Sequence, residues 1–249
     1  MNITSSFNTT KVNSPTIPPT HRFLPMFKSN EVDSFQKEQE PIPQEYALLI
    51  KNVKHLEGKD FIKESFSGLL DIFGIKSVAN KSIYFPMFNW LVPADAKAAA
   101  NPSNASMTAY KGLLKEKDKW DQFSIIAHET LHLKQYTDIL RLENVDKEAY
   151  IDAVTDLTYP LARKDQKKEL RKVIEIGVKD FQKRAKKLGT IKKDSPEGIQ
   201  AQKLFKALLN YPRINSNATM DDYMNNLLEV EAYNYQDKVY NWAKQYNSM

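Results

Sequence analysis

The chain predicts an α+β fold that is predominantly helical, on three observations. No Pro or Gly interrupts the run from Leu114 to Leu142. Strand-like segments are confined to the stretch between residues 75 and 110, and everything after residue 142 repeats at helical spacing. The 249 residues, 41% of them hydrophobic, suffice for one core and show neither an internal repeat nor a second domain. The organisation expected is therefore a leader, residues 1–43, followed by one domain, residues 44–249.

The leader is rich in Asn, Ser, Thr and Pro, lacks apolar periodicity and reads as disordered. Pro41 and Pro43 precede Tyr46 to Ile50, the start of a helix, and Phe61 to Phe73 gives a second helix closed by Gly74. Ile75 to Val78 and Ile83 to Trp90 read as strands, as does Ala105 to Tyr110, where Met107 and Ala109 alternate with Thr108 and Tyr110. A central helix follows. Asp118 suits its N-cap and Asp121 its first turn, while Phe123, Ile125, Ile126, Ala127, Leu131 and Leu133 make it apolar on nearly all sides. Next, Leu170, Val173, Ile174, Gly177, Val178, Phe181, Ala185 and Leu188 mark the inward stripe of a basic helix. Its lysines are interrupted by Glu169, Glu175 and Asp180 and carry no interleaved aromatics, so the face reads as solvated and argues against nucleic acid as a partner. Ser195 and Pro196 start a helix from about 197 to 210, and Thr219 with Asp222 starts the last one.

Within the central helix stands His128-Glu129-Thr130-Leu131-His132. Residues at i and i+4 share a helix face, so both imidazoles can reach one metal ion, and Glu129 is turned toward the side where a bound water would sit. The other two histidines are His21, in the leader, and His55, at the end of a surface helix. With no cysteine in the chain, a carboxylate is the expected third ligand. The best region is Asn226 to Gln236, where Glu229 and Glu231 flank Val230 in an apolar and aromatic turn.

His128-Glu129-x-x-His132 with Glu229-x-Glu231-Ala232 far downstream resembles the gluzincins, zinc peptidases whose third ligand is a glutamate on a later helix. Gln135 is similar to the His-Glu-x-x-His-x-x-Gln variant of small soluble bacterial zincin-like domains. The resemblance implies a zincin-like domain: a small sheet, a central motif helix and a helical C-terminal half. It implies one Zn2+ per chain held by His128, His132 and Glu229, with Glu231 as the fallback ligand. It also implies a metallopeptidase that cleaves a peptide or protein substrate with zinc-activated water and Glu129 as general base. The strand before the motif, residues 104–111, would then line the cleft as a substrate-pairing edge. Tyr233, one turn after Glu229, is the first candidate to stabilise the oxyanion, followed by Tyr136, Tyr235 and Arg213. Where the family carries an aspartate that orients a ligand histidine, this chain has Tyr233. Asp152, Asp156, Asp222 or a backbone carbonyl would then take that part. The alternative is a catalytically inactive zincin-like scaffold acting as a binding or interaction protein.

No apolar run approaches the 18 residues of a membrane span, and residues 1–20 lack a basic start followed by an apolar segment. The expected location is the cytoplasm, or outside the cell by a route without a recognisable signal peptide. The absence of cysteine excludes disulfides and thiolate ligands.

Overall fold

Nine helices and three short strands make up residues 40–86, 97–159, 162–212 and 219–248, which the computed structural model describes. In chain order they are α1 Gln44–Val53, α2 Gly58–Ile72, β1 Ile83–Tyr84, β2 Ala98–Asn101, β3 Ser106–Ala109, α3 Lys111–Lys115 and α4 Lys119–Arg141. Then follow α5 Lys147–Thr158, α6 Lys164–Ala185, α7 Pro196–Leu209, α8 Met220–Met224 and α9 Leu227–Ser248. The fold is α+β and predominantly helical, as predicted. The expected leader, residues 1–43, lies outside the described residues up to residue 39.

The central helix is central in fact. α4 packs against α2, α6, α7, α9 and the strands β2 and β3, and Phe123, Ile126, Ala127, Leu133, Ile139 and Leu140 are fully buried. Removing each large apolar side chain from water contributes about 1.5–3 kcal/mol, which explains why this helix needs no polar face. Its buried hydroxyls are satisfied inside the helix: Thr130 Oγ1 donates to the Ile126 carbonyl at 2.6 Å and Thr137 Oγ1 to that of Leu133 at 2.7 Å.

α2 ends as its sequence requires. Gly74 adopts φ +66°, its N–H bonds the Asp71 carbonyl, and the N–H of Ile75 bonds that of Leu70. This pattern closes a helix at glycine. Ile75 to Val78, expected to be a strand, is instead a turn. The Val78 and Ala79 N–H groups return to the Ile75 carbonyl, and Ile75 and Val78 are buried side chains without a strand partner. Their branched character serves the core and not a ladder. The expected strand from Ile83 to Trp90 is present as β1 over Ile83–Tyr84, and its continuation from residue 87 lies outside the described residues.

The sheet has the order β1-β3-β2, with β1 parallel and β2 antiparallel to β3. β3 shows the predicted alternation, Met107 and Ala109 buried and Ser106 and Thr108 partly exposed. It is nevertheless the middle strand, so residues 104–111 do not form the free edge expected of them. β2, Ala-Ala-Ala-Asn, pairs from Ala98↔Ala109 to Asn101↔Ser106 and provides the edge on the side of α4.

α6 buries Ile174, Val178, Phe181 and Ala185 of the expected stripe, whereas Val173 is 62% exposed and lies outside it. Its charges are largely neutralised locally: Arg171 holds Asp152 and Glu148 of α5, Lys167 holds Asp156, and Lys179 holds Glu175. The α7 start is as read, with Ser195 Oγ accepting the Gly198 N–H at 3.0 Å. Thr219 and Asp222 form a capping box, but it opens the short α8 and not the last helix. The chain restarts at Asn226, whose Oδ1 accepts the Leu228 N–H at 3.0 Å and whose Nδ2 donates to the Ala207 carbonyl at 2.9 Å. Among the described residues no helix is long and apolar enough to cross a membrane.

Candidate metal centre

Two helix starts fix the site. The Asp118 carboxylate accepts the Trp120 N–H at 2.9 Å and that of Asp121 at 3.4 Å, setting the phase of α4. The same carboxylate takes Tyr240 Oη at 3.1 Å and Lys244 Nζ at 2.7 Å from α9, joining the two helices. At the other end, the Asn226 restart puts Glu229 in the first turn of α9, opposite the histidines.

His128, His132 and Glu229 come together there, all buried, with 6%, 5% and 2% exposure. His128 Nε2 and His132 Nε2 are 3.1 Å apart, and the carboxylate oxygens of Glu229 lie 3.6 Å from the first and 3.5 Å from the second. A tetrahedral ion with bonds of about 2.0–2.1 Å separates its ligand atoms by about 3.3–3.4 Å, so the spacing suits a metal ion. Glu229 Oε2 has no hydrogen-bond partner. A buried carboxylate oxygen that faces an imidazole nitrogen and has no hydrogen bond is a group that a metal ion would serve. The three residues can therefore hold a metal.

Charge is strongly coupled at this point. Burial opposes protonation of His132, yet the Glu229 carboxylate, with a smaller contribution from Glu129, raises its pKa from 6.5 to about 9. Burial alone would raise Glu229; the two histidines instead hold its carboxyl well below the ordinary range.

Around the ligands stands a ring of tyrosines. Tyr233 meets His128 edge to face at 4.7 Å, and Tyr136 stacks on His132 at 6.1 Å. Tyr211 donates its hydroxyl to Glu229 Oε1, and Tyr223 packs edge-on against Tyr211 at 5.7 Å. Burial and the nearby glutamates push the phenol of Tyr233 up to about 12. All four remain protonated donors at neutral pH. Tyr235 is elsewhere: its hydroxyl bonds that of Tyr46. Arg213 lies outside the described residues.

Glu129, partly exposed, faces the sheet edge, where its Oε2 accepts the Ala100 N–H at 2.7 Å. Glu231 is not in the ligand cluster. It accepts Gln135 Nε2 at 2.9 Å and a second bond from Gln200, while Gln135 Oε1 sits 2.8 Å from His132 Nδ1. The histidine is thus oriented by an amide. Asp152 and Asp156 are engaged with Arg171 and Lys167, and Asp222 caps α8. Tyr211, Tyr223 and Ala100 were not foreseen. No periodicity ties the segment after α7 or an alanine run to the motif, and their meeting with it exists only in three dimensions.

Comparison with protein-family models, curated proteins and solved structures gives no match.

Proposed function

We propose that the protein is a zinc-dependent hydrolase, in first place a metallopeptidase. The observation that carries the reading is an acid, Glu129, next in the chain to the first of three buried side chains, His128, His132 and Glu229, that together could hold a metal ion. Zinc, when bound, supplies a Lewis acid and lowers the pKa of a coordinated water to about 7. Glu129, anchored through one oxygen to Ala100, keeps the other free to take a proton from the attacking water and return it to the leaving amine. Tyr233, pressed against His128, supports a hydroxyl donor for the developing oxyanion. β2, and not residues 104–111, is the edge strand beside Glu129, and an extended peptide would pair there through groups other than the Ala100 N–H, which Glu129 takes.

The second reading, a non-catalytic metal-bearing scaffold, is favoured by the near-complete burial of the cluster. Metal content of protein purified without chelators, compared with His128→Ala and Glu229→Ala, tests the site. One zinc per chain, lost in both variants, is expected. Glu129→Gln, screened on a peptide library, separates the two readings. Loss of cleavage with zinc retained supports the hydrolase, and a wild type that carries zinc but cleaves nothing supports the scaffold.

A further inference from the structure

The amide of Gln135 is held in one orientation by groups outside the ligand cluster. Its Nε2 faces Glu231 Oε2 at 2.9 Å and the Leu228 carbonyl at 3.3 Å; its Oε1 faces His132 Nδ1 at 2.8 Å. Carboxylate and carbonyl oxygens accept hydrogen bonds and do not donate them. Turning the amide over would set its oxygen against two other oxygens. Gln135, which is 2% exposed, can therefore only accept from His132. In the neutral ring the hydrogen therefore belongs on Nδ1 and the lone pair on Nε2, the atom that faces His128 and Glu229. Glu231 is held in turn through its other oxygen by Gln200 of α7.

We propose that Gln135 and Glu231 are positioning residues that fix His132 as an Nε2 donor, the carboxylate acting on the imidazole through the intervening amide. The proposal rests on the metal-site reading above. A carboxylate that orients a metal-ligating histidine commonly touches it directly. Here a neutral amide transmits the orientation while the Glu231 charge stays one side chain removed from the ion. The two histidines are consequently unequal: His128 Nδ1 has no hydrogen-bond partner, and its ring is placed by packing against Tyr233.

The test compares wild type with Gln135→Met, Glu231→Met and the exchanged pair Gln135→Glu with Glu231→Gln. Zinc affinity is read by competition with a chromophoric chelator. The His132 tautomer is read by nitrogen-15 NMR of metal-free protein, at a pH alkaline enough to make the imidazole neutral. The expected result is an Nδ1–H tautomer in wild type, mixed tautomers in each Met variant, and affinity lowered about 10- to 100-fold in both. The exchanged pair, which returns an acceptor to Nδ1, should recover part of that loss. Unchanged affinity in both Met variants, or an Nε2–H tautomer in wild type, overturns the proposal. If wild type takes up no zinc, the metal reading falls separately, and the tautomer measurement still decides the role of the two residues.

Discussion

The Glu129 carboxylate is fastened to the sheet by the Ala100 N–H, 2.7 Å away. Ala100 belongs to the edge strand β2, so this N–H points away from β3 and is free for α4. The acid beside the first histidine therefore has its orientation set by backbone and not by another side chain.

Ala100→Pro removes that donor while leaving the ladder to β3 in place, because proline is tolerated at a strand edge. Metal content should be unchanged and peptide hydrolysis should fall by about 10- to 100-fold, the usual consequence of a misplaced catalytic group. Elemental analysis beside a turnover assay checks both halves; loss of metal would show that the contact holds the fold and not the base.

Tyr211→Phe takes one hydrogen bond, that of the Tyr211 hydroxyl, from the buried Glu229 carboxylate. A hydrogen bond to a charged group contributes about 1.5–3 kcal/mol, so urea unfolding of chelator-treated protein should shift down by that amount. Added zinc should recover most of the difference, since the ion then serves the same carboxylate.

The pH dependence of the metal-free protein follows from His132. Its pKa is raised by Glu229 from 6.5 to about 9, so the stability it contributes is complete below pH 6.5 and is lost as pH rises through about 9. Glu229, held low, contributes the opposite limb of the same pair and loses its contribution in acid. Metal affinity should run the other way, increasing toward pH 9 as the proton on His132 ceases to compete. Denaturant midpoints and chelator competition across this window check the opposed slopes.

Gly177→Ala should destabilise the domain although alanine is the better helix former by about 1 kcal/mol. A Cβ at this position of α6 would sit 2.9 Å from the Ser103 backbone oxygen, in the turn between β2 and β3. Overpacking of this kind costs about 1–3 kcal/mol, so a lower thermal midpoint is expected, with the zinc stoichiometry of wild type. A raised midpoint would mean that the turn yields.

The elements that proved legible are those whose signal is local. Asp118, Ser195 and Gly74 mark helix ends through their own side chains or backbone, and the structure uses each of them. The histidines were legible because one turn of helix suffices to align them; carboxylates among apolar residues pointed to Glu229 and Glu231 together, and only the resemblance to the gluzincins put Glu229 first. The illegible parts depend on tertiary pairing. β2 is a run of alanines that becomes a strand only because β3 lies beside it, and Ile75 to Val78 resembles a strand because the core selects the same side chains. Likewise, the choice between Glu229 and Glu231 turned on the restart at Asn226, which rotates one glutamate toward the histidines and the other toward Gln135.

The restart at Asn226 also has a mechanical meaning. Helices α4 and α9 meet across about ninety residues of chain, and Glu229 stands at the first turn after the break. An ion held by His128 and His132 of α4 and Glu229 of α9 would be a removable cross-link that closes this long loop. Stripping it would loosen the hold on Glu229, while the Gln135 bonds to Leu228 and Glu231 keep the head of α9 on α4. Survival of the chain against a protease, with and without added metal, would measure that cross-link.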